Sequence, residues 1–193
     1  MHGRGHASAL SVSCTGATRR TLSRSRVAVA FSAVLLVTFP ANADIGVTGT
    51  RPDFFTQVRA ALKLLKEKAP EEYKQIEKDI GMIKEVEAWH LSGMNPFADP
   101  PTFSLSITTV RISVTWCAGA IAHDACHSRE WHAYARKHPK EAVPDSVWTG
   151  QAAELRCIAH EIEVMKRIGA PAWEIEDLRR TDGLHYLRTW RFR

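Results

Sequence analysis

From Pro52 to Lys68 the apolar residues Phe54, Val58, Leu62 and Leu65 recur at helical spacing, with Arg59, Lys63, Lys66 and Lys68 at polar positions. This pattern predicts an amphipathic helix. Ala69-Pro70-Glu71-Glu72 ends it and starts another, because proline suits a first turn and acids suit the positive end of a helix. Tyr73, Ile76, Ile80 and Ile83 carry an apolar stripe on toward Glu87, so the N-terminal part reads as a helical pair serving as scaffold.

Leu91 to Pro101 is loop by composition. Strict alternation follows, with Phe103, Leu105 and Ile107 in one phase and Val110, Ile112, Val114 and Trp116 in the other. The two runs predict one kinked strand or a tight strand pair, broken at Thr108-Thr109 and half exposed through Ser104, Ser106, Arg111, Ser113 and Thr115.

From Cys117 the period becomes helical, through the Ala-rich stretch 118–125 to about Lys137, and His138-Pro139 stops it. A second strong helix is predicted from Thr149 or Gly150 to Ile168, ended by Gly169-Ala170-Pro171. A short helix, Trp173 to Arg180, and an Asp182-Gly183 turn complete the pattern. Helices and short strands follow one another with no repeat or composition break, so residues 44–193 are expected to form a single α+β domain.

The first 43 residues read differently. Five arginines and no acid precede the apolar run Val27–Phe39, then come Pro40 and the small-residue site Ala41-Asn42-Ala43. This is the pattern of a secretory signal peptide, and the run is shorter than the roughly 20 residues a membrane span requires. Thr18-Arg19-Arg20-Thr21-Leu22 is similar to a twin-arginine signal, but arginines occur in any such segment and the general unfolded-export route is the expectation. A periplasmic or secreted protein without a stable span after cleavage follows. The leader also changes the charge: of 26 Lys+Arg and 21 Asp+Glu, five arginines lie within it, leaving 21 of each sign. A neutral mature chain gives no reason to expect nucleic acid as a partner.

Cys117, Cys126 and Cys157 remain after the leader. One disulfide and one free thiol are expected in an oxidising compartment, with a zinc set containing thiolates as the alternative.

The candidate chemistry is His123-Asp124-Ala125-Cys126-His127. Imidazoles four apart share one helix face and can grip one ion. Seven histidines in about 150 residues make such a pair common by accident, so its setting has to carry the argument. The helix is apolar just before the pair, and buried imidazoles need partners. A half-exposed strand before it would offer an edge to an extended substrate. The next helix carries Glu154, which would complete a His₂Glu zinc set with one position left for water.

In this order of strand, histidine helix and glutamate helix, residues 102–169 resemble the gluzincin branch of the zincin metallopeptidases, whose helix motif is H-E-x-x-H. The resemblance implies a zincin-like fold, Zn²⁺ held by His123, His127 and Glu154, and a peptide or protein substrate. It assigns Asp124 the role of general base toward zinc-activated water. Asp124 departs from the motif. It is one methylene shorter than glutamate, about 1.5 Å less reach where a 1 Å misplacement costs about a hundredfold. Glu130, one turn past His127, is a further candidate base. A catalytically inactive metalloprotein, or a disulfide-stapled interaction module without metal, therefore remains the alternative.

If Glu154 reaches a metal on His127, the two helices cross beside Cys126 and Cys157. A disulfide there would close about 30 residues and contribute on the order of 3 kcal/mol. Cys117 would then be buried and free. His160, Glu161, Asp182 and His185 are candidates for orienting the ligands, each with a plainer reading as solvated face or turn.

Overall fold

The computed structural model describes residues 44–184, so the expected leader, residues 1–43, and His185 lie outside the described residues. The architecture is α+β. Helix α1, Pro52–Lys68, has proline in its first turn with Asp53, and Lys66 and Lys68 in its last, so both ends complement the helix dipole. Its fully buried face is Phe54, Val58, Ala61 and Leu65. Helix α2, Pro70–Asp79, repeats the design with Pro70, Glu71 and Glu72.

Here the first departure from the sequence pattern occurs. The chain leaves the helix at Ile80 and runs as strand β2, Met82–Val86. Ile80 and Ile83 are fully buried, as the stripe requires, but on extended backbone. The cause is non-local. Strand β1, Gly46–Thr48, pairs parallel with β2, and Gly81 and Met82 donate to the Pro101 carbonyl at 2.9 and 3.1 Å.

Strand β3, Gly93–Asn95, arises within the segment read as loop and pairs antiparallel with β4, Thr102–Ser106. β4 also pairs parallel with β2, giving the sheet order β1-β2-β4-β3. The predicted strand through Trp116 stops at Ser106. Ile107 and Val110, three apart and both buried, form one short helix, α3, Ile107–Val110. Helix α4, Val114–Lys137, begins where the second strand run was expected.

The start of α4 is set by Ser113, whose Oγ accepts from Trp116 N at 2.8 Å. The fully buried Glu174 accepts from Ser113 Oγ at 2.6 Å and Thr115 Oγ1 at 2.7 Å. Glu174 belongs to α7, Ala172–Arg179, so a residue 61 positions away fixes where α4 begins. That is why local alternation misleads here.

α4 runs through the centre of the domain. Ala118, Ala122 and Ala125 are fully buried and join a core with Phe54, Ile83, Phe103 and Leu105. The short helix α5, Asp145–Trp148, leads into α6, Gly150–Ile168, which packs along α4. α6 ends at Gly169, whose φ of 77° lets Ala170 N reach the Met165 carbonyl at 2.9 Å. No described helix is long and apolar enough to cross a membrane.

Candidate metal centre

α4 and α6 meet where the sequence carries its histidines. Small residues on α4 allow the approach. A Cβ at Gly119, one turn before His123, would lie 2.7 Å from Met165 Sδ and 2.9 Å from Glu161 Oε1, so the glycine leaves room for those two α6 side chains.

The crossing brings His123, His127 and Glu154 together. His123 Nε2 lies 3.0 Å from His127 Nε2 and 3.2 Å from Glu154 Oε2, and His127 Nε2 lies 3.6 Å from Glu154 Oε1. Zinc bonds of 2.0–2.1 Å in tetrahedral array put neighbouring ligand atoms about 3.3 Å apart, close to the spacing of the two imidazole nitrogens and of each from its nearer Glu154 oxygen.

The outer ring nitrogens are engaged elsewhere. His127 Nδ1 donates to the Trp148 carbonyl at 2.7 Å, and His123 Nδ1 lies 3.1 Å from Glu161 Oε2. A carbonyl can only accept, which fixes the neutral His127 with a bare Nε2. A carboxylate at Nδ1 does the same for neutral His123. Two lone pairs and a carboxylate then face one another, and only a cation or an added proton reconciles them. The residues therefore fit a metal ion, in a donor set of two imidazoles and one carboxylate.

Without an ion, the added proton falls on His123. Burial alone would lower its pKa, but hydrogen bonds to Glu154 and Glu161 and the charges of Glu161 and Asp124 outweigh that and raise it to about 10. Glu154 moves oppositely: burial would raise it, yet its hydrogen bonds to both histidines and their charges hold it well below the usual carboxylate range. Asp124 is pushed up to about 6, chiefly by burial, with the two histidines pulling against it.

Beside these groups lies a cleft of about 380 Å³ lined by His123, Asp124, His127 and Glu154, by Trp148 and Gly150, and by Gly93 and Met94 of β3. β3 is one of the two edge strands of the sheet. The edge beside the site thus exists, but it comes from the presumed loop and not from the strand before the histidine helix. The Trp148 ring also reaches outward, 6.4 Å from Phe97, which is 6.4 Å from Trp131 in turn.

The remaining candidates divide. Glu161 is buried and touches His123, whereas His160, a hundred degrees around the helix, turns away and bonds Glu72 Oε1 at 2.8 Å. Glu130 is held by Arg156 through Nε at 2.7 Å and Nη2 at 2.8 Å, so it is not placed as a base in the cleft. The Asp182 carbonyl accepts from Gln151 Nε2 at 2.9 Å, a tether near the start of α6 and not a ligand contact. Cys126 and Cys157 are joined as a disulfide with Cα atoms 5.6 Å apart, so a zinc set drawing on their thiolates is absent from this oxidised state. Cys117 is free and buried, and burial pushes its thiol up to about 12.

The Trp148 carbonyl and the edge strand had no signal in the sequence. Glu161 had one. It shares an apolar face with Cys157, Ile158, Val164, Met165 and Ile168, and an acid in such a face needs a buried partner.

No protein-family model matches the chain, and neither a curated protein nor a solved structure is significantly similar to it.

Proposed function

We propose that His123, His127 and Glu154 hold one zinc ion with a position left open, and that the site hydrolyses peptide or related amide bonds. The observation that carries the reading is the acceptor cluster: two imidazole Nε2 atoms 3.0 Å apart beside a carboxylate, with both Nδ1 atoms committed. Imidazole with carboxylate suits zinc among divalent ions, and three protein ligands are the usual number where zinc is catalytic. When bound, the ion would polarise a carbonyl and bring the pKa of a coordinated water to about 7.

Asp124 lines the same cleft and follows a ligand directly, which is the position of a general base. The exposed side of β3 offers main-chain groups to an extended peptide, and this supports a peptide over a compact substrate. A histidine helix, a glutamate helix and an edge strand around one cleft also support a zincin-like fold. The Cys126–Cys157 disulfide fits an exported chain whose first 43 residues are a leader.

The shorter reach of Asp124 favours one other reading, a metal that braces the α4–α6 crossing without turnover. The two separate on a mixture of quenched fluorescent peptides given to zinc-loaded protein, to Asp124→Ala and to Asp124→Glu. The hydrolase loses about 10²–10⁴-fold in turnover with alanine while keeping its metal, and regains activity with glutamate. Equal turnover in stripped and loaded protein, or none in either, contradicts the hydrolase.

A further inference from the structure

Three residues further along both helices the spacing that builds the histidine site recurs with different chemistry. Cys126 and Glu130 stand four apart on α4, as His123 and His127 do, and Cys157 follows Glu154 by three on α6. Both sulfurs and a Glu130 carboxylate oxygen lie within 4.8 Å of one another.

Glu130 is positioned there by design of the surface. Arg156 grips both its oxygens and also donates to the Val147 carbonyl at 2.9 Å, which fixes the carboxylate beside the sulfurs. A carboxylate has about four lone-pair positions, so this fork leaves room for a cation. Two thiolates and one carboxylate are balanced by a divalent ion together with the Arg156 guanidinium, so the occupied site carries no net charge.

We propose that the Cys126–Cys157 disulfide is the closed form of a second cation site, made of Cys126, Cys157 and Glu130 and opened by a dithiol reductant. Exchange breaks the sulfur–sulfur bond, passes two electrons and two protons to the protein sulfurs, and leaves the reductant as its own disulfide. Binding of a soft or borderline divalent ion then displaces both thiol protons. The site is independent of the zinc reading of His123, His127 and Glu154.

The test is cadmium binding to the full chain, either oxidised or reduced with a dithiol and desalted without oxygen. The reduced protein takes up one more ion per chain than the oxidised protein. Thiolate-to-cadmium charge-transfer absorption accompanies that ion, and the helical circular dichroism is retained. His127→Ala leaves this additional ion in place, and Cys126→Ser abolishes it. Glu130→Gln weakens it about tenfold or more, as expected for loss of a carboxylate ligand. No ion in the oxidised protein but one in the reduced protein would sink the zinc reading and support this site. Equal uptake in both states, an added ion without thiolate absorption, unaltered affinity in Glu130→Gln, or unfolding on reduction without uptake would each overturn it.

Discussion

His123 and His127 face each other Nε2 to Nε2 across 3.0 Å, while Glu161 and the Trp148 carbonyl occupy their far nitrogens. Neither ring can turn without breaking its outer bond, so the inner lone pairs are aimed by groups that do not themselves meet the ion.

Glu161 is the more easily tested of those two groups. Glu161→Ala removes the acceptor at His123 Nδ1 and frees the ring to rotate. Metal affinity should fall about 10–100-fold, read by competition with a coloured chelator, with helix content unchanged.

Gly119 acts through the same carboxylate. Gly119→Ala puts a methyl against Met165 Sδ and Cγ and Glu161 Oε1, atoms of two flexible side chains that can swing aside. The fold should survive, since alanine favours a helix by about 1 kcal/mol over glycine. Metal affinity should drop as Glu161 leaves His123. The expected result is a weakened metal with a melting temperature of the stripped protein near that of the original.

These two residues also show what the sequence made legible. The bounds of α1 and α6 follow from caps and periodicity, because proline, acids, basic last turns and Gly169 act locally. His123, His127 and Glu154 were legible as types at helical spacing. The stretches that misled are those where a distant partner decides. Ile80 and Ile83 keep their inward positions on extended backbone, Ile80 just past the end of α2 and Ile83 in a strand that β1 and β4 flank. Ser113 looks like the outer face of a strand until Glu174 accepts its hydroxyl. The Trp148 carbonyl is main chain, which no residue type announces.

Acidity separates the stripped from the loaded protein. In the stripped chain His123 has a pKa of about 10, above the unfolded value of about 6.5. Its contribution is therefore full below about pH 6.5 and is lost as pH rises toward 10. Denaturant melts should show the stripped chain losing roughly 2 kcal/mol between pH 7 and 9. Zinc competes with that proton, so the stabilisation that zinc confers should grow over the same range.

Asp79 gives a second pH dependence away from the site. Burial raises its carboxyl to about 6, with Glu72 adding to the effect and Gln75, Arg129 and Arg136 opposing it. Stability from the protonated form is full below about 4 and is lost as pH rises through 6. Asp79→Asn should stabilise the protein at pH 7 by about 1–2 kcal/mol and flatten the melt midpoint between about pH 4 and 6. Its main-chain carbonyl, which accepts from Ser128 Oγ at 2.6 Å, is untouched by the change.

The central claim is that His123, His127 and Glu154 hold a metal ion, and metal content tests it most directly. The full chain and His127→Ala are purified in parallel, exposed to zinc, dialysed exhaustively and analysed for elements. The account predicts close to one zinc per oxidised chain and close to none in the variant. Absence of zinc from both, or equal zinc in both, would contradict it.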